Sequence, residues 1–89
     1  MLAHITAMGD LLVSRLQELQ SPHIKEIRNL GLMIGIEMDI EVKPLLEQGY
    51  EHGVLLLNSG PNVLRLLPPY IVTETEIEQL IDILEQIIP

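Results

Sequence analysis

One arginine is the residue of this sequence best suited to binding chemistry. Arg65 stands within a short apolar stretch, Val63 to Leu67, that is typical of a strand. An unpaired guanidinium among such neighbours is costly, so Arg65 requires an anion. Its planar fork of donors suits bidentate binding of a carboxylate. The alternative is a structural ion pair on a half-exposed strand with one of the 13 acidic side chains.

The remaining chemically capable side chains indicate no reaction centre. A lysine that forms a Schiff base must be desolvated, whereas Lys25 falls in a polar-alternating strand and Lys43 in the first turn of a helix. We expect both to be solvated surface lysines. His4, His23 and His52 lie far apart in a chain without cysteine, which leaves a zinc ion without its usual ligands. The sequence therefore predicts no catalytic residue and no metal site.

Composition excludes several partners. Thirteen acidic and five basic residues give a formal charge of -8, which repels nucleic-acid phosphates and anionic lipid surfaces. With two tyrosines and no Phe or Trp, the core must be aliphatic. The chain also lacks the set of aromatic side chains on which nucleic-acid bases would stack. The longest apolar runs, such as Val54 to Leu57, are far too short to span a bilayer. We expect a soluble, cytoplasmic chain that binds neither nucleic acid nor membrane.

The first half of the sequence predicts a helix followed by a hairpin. Apolar residues recur at helical spacing from Leu2 to Leu19, and Ser21-Pro22 is expected to end that helix. Two strands, Ile24 to Asn29 and Leu32 to Met38, then flank a turn at Asn29-Leu30-Gly31. Gly35 within the second strand indicates either a bulge or a close approach to the backbone.

The second half predicts a helix, two strands and a final helix. The expected segments are a helix from about Glu41 to a Gly53 cap, a strand from Val54 to Leu57, a loop over Asn58 to Asn62, a strand from Val63 to Leu67 stopped by Pro68-Pro69, and a helix whose start is a Thr73 and Glu76 capping box. The predicted fold is a single α+β domain over residues 1-89, a two-layer sandwich of helices on a small, mainly antiparallel sheet, in the order α-β-β-α-β-β-α.

Two segments carry a resemblance to a known family. Ile27 to Glu37 reads IRNLGLMIGIE, and Gly60 to Pro69 reads GPNVLRLLPP. Together with the helix start at Thr73, they resemble the C-terminal small domain of class III pyridoxal-phosphate-dependent aminotransferases, most closely the acetylornithine type. The family usually has Arg-Gly-x-Gly where this chain has Arg28-Asn29-Leu30-Gly31. We expect Asn29 to adopt the left-handed conformation in place of glycine.

The resemblance implies a function for the parent protein. Arg65 matches the family's arginine that recognises the α-carboxylate of the substrate. The parent is expected to be a cytoplasmic, dimeric enzyme of arginine biosynthesis that uses pyridoxal phosphate to move an amino group from N-acetylornithine or ornithine to 2-oxoglutarate. The family's cofactor lysine and phosphate-binding loop belong to its large domain. The 89-residue chain is therefore expected to bind no cofactor, to be inactive alone, and to have the large domain as its partner.

A rival interpretation is a non-enzymatic α+β module for association, ligand sensing or folding, or a deliberately isolated domain. A surface left bare by a missing partner would favour self-association into a homo-oligomer. A stand-alone enzyme built on the many carboxylates ranks last, because no glycine-rich loop, nucleophile elbow or metal set organises them.

Overall fold

The described residues of the chain form three helices and four strands in the predicted order. The computed structural model describes residues 2–68 and 72–89. Its elements are α1 Leu2–Glu18, β1 Ile24–Leu30, β2 Met33–Met38, α2 Lys43–Glu51, β3 Leu57–Asn58, β4 Val63–Leu66 and α3 Glu74–Ile87. The expected sequence α-β-β-α-β-β-α is thereby confirmed. Within the described ranges, none of the helices combines the length and apolarity needed to cross a membrane.

The four strands build one antiparallel sheet in the order β1-β2-β4-β3. Alternate residues of the two central strands point to one face and are buried, namely Ile34, Ile36, Leu64 and Leu66. Helix α1 packs on β1 and β2, while α3 lies against α1 and α2. The architecture is the predicted two-layer α+β sandwich, with helices on one face of the sheet.

An aliphatic core holds the two layers together. Helix α1 contributes Leu12 and Leu16, and α3 contributes Ile77, Ile81 and Leu84, all at helical spacing and all buried. No polar side chain of the described residues is buried with them. Removal of this apolar surface from water is the main stabilising contribution to the fold.

Local signals fix the ends of the last two helices as predicted. The Thr73 hydroxyl accepts a hydrogen bond from the Glu76 backbone N–H at 3.2 Å, and the Thr73 N–H donates to the Glu76 carboxylate at 3.0 Å. This reciprocal pair is a capping box. At the end of α2, Gly53 adopts a φ of 81°, and its N–H donates to the Tyr50 carbonyl. A left-handed glycine of this kind closes a helix by satisfying its terminal carbonyls.

The hairpin turn lies two residues beyond Asn29, so that part of the prediction was wrong. Leu30 pairs with Met33, which leaves a two-residue turn of Gly31 and Leu32. Gly31 has a φ of 58°, whereas Asn29 stays in the strand and its side-chain amide donates to the Gly31 carbonyl. Positive φ at the first turn residue alone is the pattern of a type II′ turn, whose twist matches that of the strands.

Gly35 causes no irregularity in β2. It pairs in register with Arg28 on one side and Arg65 on the other, and the one register shift in the hairpin lies between Ile24 and Glu26 of β1. The bulge considered for Gly35 is therefore not found.

Two element boundaries also differ from the prediction. Helix α1 ends at Glu18, and the chain leaves helical geometry at Gln20, whose φ is 52°, before Ser21-Pro22 is reached. Strand β3 is Leu57–Asn58 rather than Val54 to Leu57, because it is an edge strand that pairs with β4 alone. Of that apolar run only Leu56 is buried. Pro69, expected to help stop β4, lies outside the described residues.

Candidate functional site

The candidate site lies on the face of the sheet opposite the helices. Strand β4 directs Leu64 and Leu66 into the core, so Val63 and Arg65 project from the other face. Arg65 is half-buried there. The alternation of side chains along β4 explains this position, because the apolar residues on either side of Arg65 enter the core and the guanidinium must project from the opposite face.

Strand pairing places Arg65 in a row of four cross-strand neighbours. Leu57 of β3 lies opposite Arg65, Arg65 lies opposite Gly35 of β2, and Gly35 lies opposite Arg28 of β1. Directly opposed residues of antiparallel strands share a face and are close enough for their side chains to interact. The two arginines are thus separated across the face by a residue without a side chain.

The two arginines of this row differ in their ionic partners. Arg28 donates from Nη2 to Glu37 Oε1 at 3.1 Å, and its Nη1 lies 3.6 Å from Glu26 Oε2. Arg65 Nη2 instead donates to the Met33 sulfur at 3.5 Å, a weak acceptor. Among the described residues no carboxylate oxygen lies within 4.0 Å of the Arg65 guanidinium. Arg65 therefore retains an uncompensated positive charge in a chain that is otherwise strongly acidic.

The third arginine shows what full pairing looks like in this fold. Arg15 of α1 donates from Nε to both carboxylate oxygens of Glu78 on α3, at 2.9 and 3.0 Å, and from Nη1 to Glu18 at 2.9 Å. Hydrogen bonds first from Glu78 and then from Glu18 raise the pKa of Arg15 above its ordinary value. This pair clamps α1 to α3 and takes no part in the sheet face.

A shallow depression surrounds the Arg65 site. It has a volume of about 280 Å³ and is lined by Arg28, Met33, Gly35, Ser59, Val63 and Arg65, with Asn29, Leu30 and Ile34 completing the wall. Apart from the guanidinium groups, the polar side chains of the lining are the Ser59 hydroxyl and the Asn29 amide, and the lining contains no carboxylate. Guanidinium groups beside an open depression can bind an anion such as a carboxylate.

Apolar side chains surround the depression and reach solvent. Leu30 is 80% exposed, Met33 41%, Leu57 42% and Leu67 57%. A second, more apolar depression of about 620 Å³ adjoins them between β3, the end of β4 and α3. Within the described parts of the chain nothing covers this surface.

The lysines and histidines lie away from the depression. Lys25 and Lys43 are both exposed, so neither has the desolvated setting that a Schiff base with pyridoxal phosphate requires. His4 contacts the Val72 carbonyl, His23 contacts Asp39, and His52 contacts the Gln48 carbonyl. Across residues 2–68 and 72–89, no three His, Asp or Glu side chains are grouped as metal ligands.

Sequence reasoning singled out Arg65 but missed its neighbours. The sequence indicates Arg28 only as a member of a motif, Gly35 only as a bulge or a close approach to the backbone, and Met33 only as a strand residue. Their place beside Arg65 follows from the register of the hairpin, in which Arg28 and Gly35 lie equally far from the Gly31-Leu32 turn. A correct turn position would have been the signal that brings them together.

Comparison with known proteins agrees with this architecture. The sequence profile of the family described as "Aminotransferase class-III" matches residues 1–88. The chain is 42% identical over 90 residues to the acetylornithine aminotransferase of Bacillus cereus, covering 98% of this chain and 23% of that protein. It is 38% identical over 74 residues to ornithine aminotransferase 1 of Staphylococcus aureus, covering 83% of this chain and 19% of that protein.

Solved structures agree with the sequence matches. The crystal structure of acetylornithine aminotransferase from Elizabethkingia anophelis superimposes with a TM-score of 0.86 at 25% identity, covering 96% of this chain and 24% of that one. The chain thus spans about a quarter of the length of the relatives that it matches. On the match over nearly all of its residues, the chain belongs to the class III aminotransferase family.

Proposed function

We propose that this chain is the small domain, residues 1-89, of a pyridoxal-phosphate-dependent transaminase and that Arg65 binds the carboxylate of its substrate. The observation that carries the proposal is the guanidinium of Arg65, held on an open sheet face without a carboxylate of its own. A bidentate contact with a substrate carboxylate would supply the missing anion. The names of the relatives support acetylornithine or ornithine as the amino donor. The acceptor in this proposal is 2-oxoglutarate, on the family resemblance.

In this proposal the cofactor is bound by the rest of the parent enzyme. Pyridoxal phosphate supplies the electron sink of a transaminase when bound. The exposed positions of Lys25 and Lys43 support the view that this chain contributes neither the cofactor lysine nor catalysis by itself. The task of the chain is to orient the substrate by its carboxylate and to shield one side of the reacting centre from water.

The partner that fits the sheet face is the large domain of the same enzyme. Its contact would bury the exposed side chains of Leu30, which lines this depression, and of Leu57 and Leu67, which line the more apolar one. Arg65 would then lie in the cleft between the two domains, where exclusion of water strengthens an ionic contact. We propose a cytoplasmic location and a homo-oligomeric parent on the same grounds of family resemblance.

A chimeric enzyme tests the role of Arg65. The segment of the B. cereus acetylornithine aminotransferase that this chain matches is replaced by the 89 residues, and transaminase kinetics are measured. Loss of a hydrogen bond to a charged group is expected to lower kcat/KM about 10- to 100-fold in Arg65→Gln, with Arg65→Lys intermediate. Arg15→Gln is the matched control, because Arg15 is paired between two helices and lies off the sheet face.

Two results would contradict the proposal, one from the chimera and one from the chain alone. An Arg65→Gln chimera with the kinetics of its parent would show that the guanidinium does not bind substrate. The inactivity of the 89 residues alone has its own test, in which the chain is mixed with pyridoxal phosphate and treated with borohydride. A stable adduct at Lys25 or Lys43 would show that the chain has cofactor chemistry after all.

A second candidate function is supported by the exposed apolar face. Leu30, Leu57 and Leu67 could serve a non-enzymatic association or folding module, or a deliberately isolated domain, that self-associates through its sheet. Sedimentation of the purified chain distinguishes the cases. If the chain self-associates and Leu57→Lys abolishes this, the exposed apolar face is an association surface. A stable monomer would argue against this second function.

A further inference from the structure

Gly35 lies in the centre of the sheet, at a position where the fold does not require a glycine. It is not among the glycines with positive φ, which are Gly31, Gly53 and Gly60. A Cβ built on Gly35 would have Val63 Cγ1 as its nearest neighbour, at 3.9 Å, which is an ordinary contact. A glycine in a strand gives up more conformational freedom than any other residue and has nothing to pack. The fold would accept a larger residue here and would be more stable with it.

The missing side chain leaves a gap beside the Arg65 guanidinium. Leu57 borders Arg65 on the other side, so the gap at Gly35 is the open flank of the row. Arg28, on the far side of the gap, is already paired with Glu26 and Glu37. The gap therefore adjoins one uncompensated positive charge rather than two.

We propose that Gly35 is a specificity-determining residue, which keeps open the space in which a single carboxylate group reaches Arg65. This inference rests on the proposed function of Arg65. A carboxylate needs lateral room to align both oxygens with a guanidinium, and a methyl or isopropyl group at position 35 would take up that room.

Stability and access can be measured on the chain itself. Gly35→Ala and Gly35→Val are expected to raise the urea midpoint of unfolding, since the strand gains a side chain that meets no obstacle. Phenylglyoxal, a reagent for arginine, reports access to each guanidinium by mass spectrometry. We expect Arg65 to react faster than Arg15 and Arg28, and Gly35→Val to slow Arg65 while leaving Arg15 unchanged.

Substrate binding is measured in the chimera described above. Gly35→Ala is expected to raise KM for the amino donor and Gly35→Val to raise it further, by about tenfold or more, the effect of a methyl-sized change in a binding site. Gly49→Ala is the matched control, since a Cβ there would lie 2.6 Å from the Leu56 side chain and far from the depression. It should lower stability without changing KM.

The outcomes separate this inference from the proposed function. If Arg65→Gln is silent, the carboxylate role of Arg65 fails, and the inference fails with it. If Arg65→Gln impairs binding but both Gly35 variants keep the original KM and the original rate of Arg65 modification, only the inference is overturned. Gly35 variants that are less stable than the original chain would also overturn it, because glycine would then be a requirement of the fold. The phenylglyoxal measurement tests the inference even if a chimera is inactive, because it reports access to Arg65 in the chain itself.

Discussion

The contact between helix α1 and the hairpin turn provides a sharp test of the packing. Gly9, in the middle of α1, is buried against the turn of the hairpin. A Cβ built on Gly9 would lie 2.3 Å from the Gly31 carbonyl oxygen and 3.0 Å from its carbon. Both atoms belong to the backbone and cannot rotate away. Relief would require the turn to retreat by about 1 Å.

The size of the effect follows from two opposing terms. In Gly9→Ala the helix gains about 1 kcal/mol of propensity. Overpacking costs about 1–3 kcal/mol, and a rigid backbone partner places this site at or above the upper end. The retreat would also disturb the hydrogen bond from the Asn29 amide to the Gly31 carbonyl, 3.3 Å in the native chain. We expect a net loss of about 2 kcal/mol or more, and a loss of about 2 kcal/mol lowers the Tm of a domain of this size by roughly 8–16 °C.

Urea unfolding followed by far-UV circular dichroism measures this loss. Ser14→Ala, at an exposed position of the same helix, is the control and should slightly raise stability through helix propensity alone. A Gly9→Ala chain that is as stable as Ser14→Ala would refute the reasoning, because α1 could not then lie so close to the turn.

Three further predictions concern local stability and are checked by the same unfolding assay. Thr73→Ala removes one arm of the capping box and should cost about 1 kcal/mol, whereas Thr73→Ser should restore it. Gly53→Ala should cost about 1 kcal/mol through its left-handed φ of 81°, with Gly53→Asn milder; equal stability of all three forms would contradict this. Glu78→Gln should lower the urea midpoint in low salt and have less effect in high salt. Glu78 and Glu18 raise the pKa of Arg15, so the stabilisation that its ion pairs give is present below the ordinary arginine pKa and is lost only in strong alkali. A decline of this stabilisation around neutral pH would contradict the assignment.

Local sequence signals determined much of the fold. The Thr73 and Glu76 pair, the Gly53 cap and the helical spacing of Leu12 and Leu16 depend on residues within one or two turns of each other. Interactions over such short separations form in much the same way in any fold that contains them. For this reason the order and type of the elements could be predicted.

Strand register was decided by the tertiary structure. A turn at Asn29-Leu30-Gly31 would place Arg28 opposite Leu32, whereas the observed turn at Gly31-Leu32 places it opposite Gly35. A shift of one residue exchanges the two faces of a strand, and Leu32 must enter the core, where it is 2% exposed. Burial against the helices, none of which is part of the hairpin, therefore selects the register.

The same long-range packing built the candidate site. Arg65 and Gly35 are thirty residues apart in the chain, and nothing local to either predicts that β4 pairs with β2. The sequence indicates only that Arg65, a charged residue in an apolar stretch, requires an anion. The sheet alone decided that the guanidinium faces an open gap, with Arg28 already neutralised beyond it, because cross-strand neighbours are set by the pairing of whole strands.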